Sequence, residues 1–309
     1  MWGIASVTDK KYSCEQALLV SYANFLKRDY QMILADSWGF DYYEKGSIGE
    51  KLSPGYRKSR YSNYEKFHGI KVNNANISSK DELKEFVYSN INNTPIMIDF
   101  DTYYCEWNKL YQKKSVFHRL LIIGVFDKNK FACIDHYSSN YVIVDISTLP
   151  AWSGAASTFT VNELYDVPQF VFLDEIQKHS RYLIETSMLD KLREFFLDLQ
   201  FNTKVSYGEY DANSPSESLI LINLDRIINQ RCCFKEYLEY LIRIGILKEK
   251  NRDLIEIFNE MSLKYNLLKM VIAKELVQKR LDNKTRLIEE VWNLEHKALQ
   301  AFSYVSSNL

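Results

Sequence analysis

The segment His118-Arg-Leu-Leu-Ile-Ile-Gly-Val-Phe-Asp-Lys-Asn-Lys-Phe-Ala-Cys-Ile-Asp135 is the most structured reading in the chain. Phe117–Phe126 is almost wholly apolar, the pattern of a strand covered on both faces. Asp127-Lys-Asn-Lys130 carries turn chemistry, and Phe131–Asp135 is the returning strand of a hairpin. Working outward, Ile96–Phe100, Tyr141–Ile146 and Gln169–Leu173 read as further strands. Upstream, Ser13-Cys-Glu-Gln16 has the capping-box form, and Leu18, Tyr22, Phe25 and Leu26 follow at helical spacing. Asn73–Ser79 reads as a polar loop, after which Ser78 or Ser79 caps a helix over Lys80–Asn90. A leading helix and a cluster of strands predict an α+β domain with an antiparallel sheet.

Beyond residue 173 the period changes to helical. Helices are expected over Asp174–Leu199, Ser216–Leu247, Asn251–Leu281 and Lys284–Ala301, with Phe201–Ser214 as an internal linker. The expected organisation is therefore a domain over 1–172 and a helical domain over 173–309. The helical stripes of Leu, Ile and Phe suit a core or a homo-oligomer interface through the C-terminal helices.

Composition excludes several classes. The 309 residues hold 39 Lys+Arg against 40 Asp+Glu, which leaves none of the cationic excess that phosphate backbones demand of a nucleic-acid binder. The longest apolar run, Leu120–Phe126, is far short of the ~20 residues of a membrane helix, and Met1–Lys11 lacks the order of a secretory signal. The expectation is a soluble cytoplasmic protein. Five scattered cysteines without Cys-x-x-Cys, and five scattered histidines, argue against disulfides and structural zinc. Gly46-Ser-Ile-Gly49-Glu-Lys51 has neither the spacing nor the leading strand of a phosphate loop.

Three residues carry the candidate chemistry. Cys14 falls in the first turn behind the Ser13 cap, where unpaired N–H groups and the positive dipole end favour a thiolate. It also lies four residues before Leu18, as a small buried hydrophobe would. His118 opens the most apolar strand and suits a general base; Asp135 closes the next strand and suits a group that orients the imidazole. With the turn centred on Lys128–Asn129, His118 faces about residue 139, so Asp135 must reach diagonally or the hairpin must carry a bulge. His136 is the competing base.

The order Cys, His, Asp, with the Gly124-containing hairpin, resembles papain-like cysteine peptidases. More closely, residues 1 to about 150 resemble the N-terminal domain of the butirosin-biosynthesis acyltransferase family. The resemblance rests on Ser13-Cys-Glu-Gln-Ala-Leu-Leu19, Ser37-Trp-Gly-Phe-Asp-Tyr42, Pro95-Ile-Met-Ile-Asp-Phe-Asp-Thr-Tyr-Tyr104 and the hairpin from His118. It implies a papain-like fold and an amide-forming acyltransferase of thiotemplated, nonribosomal secondary metabolism, as in a closthioamide-type pathway. It also implies an acyl group taken from the phosphopantetheine thioester of an acyl or peptidyl carrier protein, with no other cofactor or metal, and passed to a small-molecule amine. On it Cys14 maps to the nucleophile, His118 to the base and Asp135 to the orienting acid. The oxyanion-hole Gln that many papain-like peptidases carry is absent from Ser6–Ser13.

Asp99 and Asp101, followed by Tyr103, Tyr104 and Trp107, are the expected substrate-binding group, since carboxylates beside aromatic rings hold an ammonium. Lys51, Arg57, Lys58 and Arg60, interleaved with Tyr56 and Tyr61, form either a solvated loop or a basic surface that steers an acidic carrier. Two other classes share these residues: a papain-like peptidase or amidase, with water as acceptor, and a non-catalytic carrier-binding or peptide-binding module.

Overall fold

The computed structural model describes residues 1–55, 57–146, 154–201, 218–278 and 284–307. In chain order its elements begin α1 (Cys14–Phe25), β1 (Asp41–Tyr42), α2 (Ile48–Lys51), β2 (Leu52–Ser53), α3 (Arg60–His68), β3 (Ile70–Ile77) and α4 (Lys80–Asn90). Five strands follow: β4 (Ile96–Asp101), β5 (Phe117–Asp127), β6 (Lys130–Asp135), β7 (Ser138–Asp145) and β8 (Gly154–Val161). The remainder is helical: α5 (Gln169–Glu185), α6 (Met188–Phe201), α7 (Leu219–Arg243), α8 (Arg252–Gln278) and α9 (Thr285–Ser307). The class is α+β. No helix among the described residues is long and apolar enough to cross a membrane. The expected linker Phe201–Ser214 lies, after its first residue, outside the described residues.

The chain divides into two compact units: Met1–Ile33 with Tyr61–Tyr165, and Leu34–Arg60 with Asp166–Leu309. The change of unit falls at Tyr165/Asp166, and Leu34–Arg60 groups with the later helices.

In the first unit the described residues form one antiparallel sheet of order β3-β8-β4-β5-β6-β7. α1 begins where the capping box places it: the Ser13 Oγ accepts from the Gln16 N–H (3.2 Å), and the Gln16 Oε1 accepts from the Ser13 N–H (3.0 Å). α4 starts behind Ser79 and buries Leu83 and Val87 in a cluster with Ile98, Phe100, Leu120, Ile122, Phe131 and Cys133. The polar loop expected over Asn73–Ser79 is instead largely strand β3. It pairs along its whole length with β8, and polar cross-strand contacts hold it where apolar alternation is missing. The Asn73 Nδ2 donates to the Thr160 Oγ1 (2.9 Å), and the Ser157 Oγ donates to the Asn74 Oδ1 (2.8 Å).

In the second unit the strand expected at Gln169–Leu173 is the start of α5, entered directly from Pro168. A five-residue apolar run cannot by itself distinguish strand from helix. The single helix expected over Asp174–Leu199 is broken at Ser187, whose φ of +50° ends α5 with a left-handed residue before α6 begins. Gly46–Lys51 is a capped turn: Ser47 and Glu50 form a second capping box at α2, and the Lys51 Nζ pairs with Asp198 at 2.5 Å. Trp38 is fully buried against Phe234, Phe258 and Phe302. A Cβ at the adjacent Gly39 would lie 2.0 Å from the Gly55 carbonyl oxygen, so only glycine fits there. His179 sits in the same aromatic surroundings, and burial pushes it down to about 3, so it stays neutral.

Around Trp38 the unit buries one complete ion pair. The Glu295 Oε1 accepts from the Arg231 Nε (2.9 Å) and Nη2 (2.6 Å) and from the Tyr265 hydroxyl (2.9 Å); its Oε2 accepts from the Trp38 Nε1 (2.9 Å). Arg231 and Glu295 are both fully buried. Arg231→Met should therefore cost about 3–5 kcal/mol, because it leaves a buried carboxylate without its counter-charge. Adding Glu295→Leu should recover only part of this, since the Trp38 and Tyr265 donors then lose their acceptor. Chemical denaturation followed by helical circular dichroism measures both; a loss below about 1 kcal/mol for Arg231→Met contradicts the reading.

Candidate active site

The hairpin sets the geometry. β5 and β6 pair Asp127 with Lys130 at the turn, then Val125 with Phe131 and Gly124 with Ala132, then Ile122 with Cys133 and Leu121 with Ile134. The register shifts twice, between Val125 and Asp127 and between Ile122 and Gly124. Each shift slides β5 by one residue. Counted on from Leu121, the same offset relates His118 to Tyr137 in the turn after β6, and the two rings stack with centroids 5.2 Å apart. Asp135 is then one diagonal step away on the same face. A single bulge would have turned His118 and Asp135 to opposite faces; a pair preserves the face and shortens the reach.

Asp135 is completely buried, and its carboxylate is surrounded by donors. The His118 Nε2 donates to its Oδ1 (2.9 Å), and the Tyr137 N–H donates to the same oxygen (3.1 Å). The Trp107 Nε1 donates to its Oδ2 (2.5 Å), and the His136 Nδ1 lies 3.2 Å from Oδ1. Burial alone would raise this carboxyl, but the hydrogen bonds from His118 and Trp107 and the adjacent His136 outweigh it and hold Asp135 well below the usual carboxylate range. The Ser6 hydroxyl donates to the Asp135 carbonyl (2.5 Å), so the N-terminal segment fixes the backbone as well.

Cys14 is the first residue of α1 and is half-buried; Cys105, Cys133 and Cys233 are buried. His118 is hydrogen-bonded to Asp135 through Nε2, and Cys14 lies close enough to act on its titration. With Nε2 on Asp135, Nδ1 is the ring nitrogen left over. Burial pulls His118 down, but Asp135 and Cys14 prevail and raise it to about 9. The structure thus brings Cys14, His118 and Asp135 together, the order a nucleophile, a base and an orienting acid would need. His136 touches Asp135, and its ring centroid lies 5.4 Å from that of His118, while it is His118 whose titration Cys14 raises.

Two further residues tie Cys14 to His118 through their immediate neighbours. Glu15, next to Cys14, accepts from the Arg119 Nη1, next to His118, and from the Tyr61 hydroxyl. The Arg119 Nε also donates to the Asp99 Oδ1 (3.0 Å). This clamp was not read from the sequence; the available signal was an acid after the candidate nucleophile and a cation after the candidate base.

The expected substrate-binding group is distributed differently. Asp99 is held by Arg119 and by the Ala155 N–H (3.0 Å). Asp101 accepts from the Tyr103 N–H (2.9 Å), the Val116 N–H (3.2 Å) and the Ser115 hydroxyl, and so fastens the loop over Thr102–Ser115. Both carboxylates serve the chain's own donors. Trp107 packs on Phe100 and donates to Asp135, so it positions the orienter. Tyr103 is partly exposed against Tyr104. Of the expected basic stretch, Lys51 pairs with Asp198, and Arg57 pairs with Asp36 (3.1 Å) and Glu175 (2.5 Å) within the second unit. Tyr56 lies outside the described residues.

Cys105, His118 and Asp135 also bring potential metal donors within 4.8 Å of one another. The set is poorly suited to a cation. Burial, with Asp135 and Asp101 nearby, pushes the Cys105 thiol far above its ordinary range, and a thiol must deprotonate to bind. Both Asp135 oxygens are already occupied by N–H donors. No family model matches the chain, and no curated protein matches it.

The pair's pH window follows from the two directions. His118, raised to about 9 from 6.5, adds stability that is complete below about 6.5 and lost as pH climbs through 9. Asp135, lowered, adds stability that is complete above about 4 and lost on acidification. Both contributions are complete between about pH 4 and 6.5. Asp135→Asn should move the His118 imidazole titration, followed by NMR, from near 9 to 6.5 or below, since burial then acts without the carboxylate. Trp107→Phe, lacking the N–H, should cost about 1–3 kcal/mol in denaturation. An unmoved His118 titration in Asp135→Asn would disprove the coupling.

Proposed function

We propose that the first unit is a papain-like cysteine acyltransferase that forms amides through an acyl-Cys14 intermediate. The observation that carries this reading is the contact chain Cys14–His118–Asp135, with its orienting acid fully buried and fully hydrogen-bonded. The resemblance of residues 1 to about 150 to the butirosin-biosynthesis acyltransferases supplies the substrate classes: a carrier-protein thioester as donor and a primary amine as acceptor.

The steps balance without a cofactor of the enzyme. His118 takes the Cys14 proton, and the thiolate adds to the thioester carbonyl. Collapse expels the carrier's phosphopantetheine sulfur, which leaves with the proton held by His118. The amine then adds to the acyl-Cys14 carbonyl while His118 accepts an amine proton. Collapse releases the amide, and the thiol is restored when His118 returns that proton to Cys14. The first exchange, thioester for thioester, is nearly reversible; amide formation commits the reaction. Asp135 stabilises the imidazolium at each proton-holding stage. The positive end of α1 and the Cys14 backbone N–H favour the tetrahedral oxyanion, while Gln16 serves the helix cap.

Intact-protein mass spectrometry after incubation with an acylated carrier protein tests donor and nucleophile together. Cys14→Ala should abolish both loading and product. His118→Ala should slow loading by about 10²–10⁴-fold. His118→Ala with Asp135→Ala should cost little more, because the two act as a unit. The loaded enzyme should decay faster with an amine than in buffer, yielding amide. Equal decay in buffer, with free acid as product, would make the protein a hydrolase; full turnover by folded Cys14→Ala would end the covalent mechanism.

A further inference from the structure

α8 carries two stripes. One, including Ile257, Met261, Tyr265, Leu268, Ile272 and Leu276, is buried in the second unit. The other runs Glu256, Glu260, Leu263, Leu267, Met270, Lys274, Val277, all exposed and separated alternately by four and three residues. That is the 3.5-residue repeat of a helix-pairing seam. Its apolar members are far from incidental: Leu263, Leu267, Met270 and Val277 are 60%, 47%, 59% and 57% exposed. Single exposed apolar side chains are ordinary, but four along one seam form a patch.

The charges on this seam select the occupant. Two glutamates precede its apolar centre and one lysine follows it. A second copy laid parallel would set Glu260 against Glu260 and Lys274 against Lys274. Laid antiparallel about a two-fold axis at Leu267, it sets Glu260 against Lys274 twice, because each lies seven residues from that axis. Leu263, Leu267 and Met270 of the two copies then fill the centre. We infer that α8 pairs antiparallel with α8 of a second copy, making the protein a two-fold homodimer through this seam. The inference is independent of the chemistry proposed above.

Sedimentation equilibrium of the full chain at micromolar concentration should return twice the monomer mass. Leu267→Glu should return the monomer mass, with helical circular dichroism unchanged because the residue is exposed. Glu260→Lys and Lys274→Glu should each weaken the dimer at least about tenfold, and the double variant should restore it, since the swap recreates opposite charges across the axis. Glu260→Cys with Lys274→Cys should form a disulfide between copies under mild oxidation. Within one chain the two positions are about 21 Å apart along the helix and cannot bridge. A monomeric wild-type chain would overturn the inference, as would a dimer indifferent to Leu267→Glu or a charge swap without rescue.

Discussion

A carboxylate removed from water must be given its full complement of donors, and among the described residues each unit holds one that is completely buried. In the first, Asp135 is completely buried and met by two ring N–H donors, a backbone N–H and a neighbouring imidazole. Meeting it dictates much of the surrounding structure. Two register shifts bring His118 within a diagonal step, the loop beyond β4 delivers Trp107, and Ser6 ties down the carbonyl. An unpaired charge at this depth would cost several kcal/mol, more than a small domain can absorb. The second unit solves the same problem for Glu295 with Arg231, Tyr265 and Trp38.

For chemistry, a fixed carboxylate means a fixed imidazole. His118 cannot rotate without breaking its Asp135 bond and its stacking on Tyr137. The Glu15–Arg119 contact acts on the same alignment from outside, joining the residue after the thiol to the residue after the base. Preorganisation of this kind removes the need to reorient groups as charge develops during reaction.

What could be read in advance follows from the range of the interactions involved. The start of α1, the full extent of α4 and the β5–β6 hairpin are written in local chemistry: Ser13 and Ser79 at caps, an unbroken apolar run, and a turn at Asp127–Lys130. The need for either a bulge or a diagonal reach was also legible, because the face of a strand residue is a matter of counting; the hairpin uses both devices. Most of β3 has the composition of a loop, because its Asn-rich sequence is held by side-chain contacts to β8, more than eighty residues away. Gln169–Leu173 has the composition of a strand and becomes helix because the stripe continues through Ile176, His179 and Leu183. The contacts of Trp107 with Asp135 and of Asp99 with Arg119 are not legible in the sequence, because the partners are 28 and 20 residues apart.

The two completely buried carboxylates, Asp135 and Glu295, show how a similar constraint can serve stability or, on the proposed reading, chemistry. Glu295 is met by a guanidinium, which keeps its proton at any pH a folded protein experiences. That pair can hold α7, α9 and the Trp38 segment together, but it cannot pass a proton to anything. Asp135 is met by an imidazole, which can hold or release one within the range where proteins work. The raised His118 sits between a permanent anion and a thiol, so a proton taken from sulfur lands on a group whose charge is already compensated. Replacing the carboxylate by a neutral amide would keep much of the packing and lose that compensation. In the acyl transfer proposed above, compensation of the His118 charge, more than burial itself, is what Asp135 would contribute.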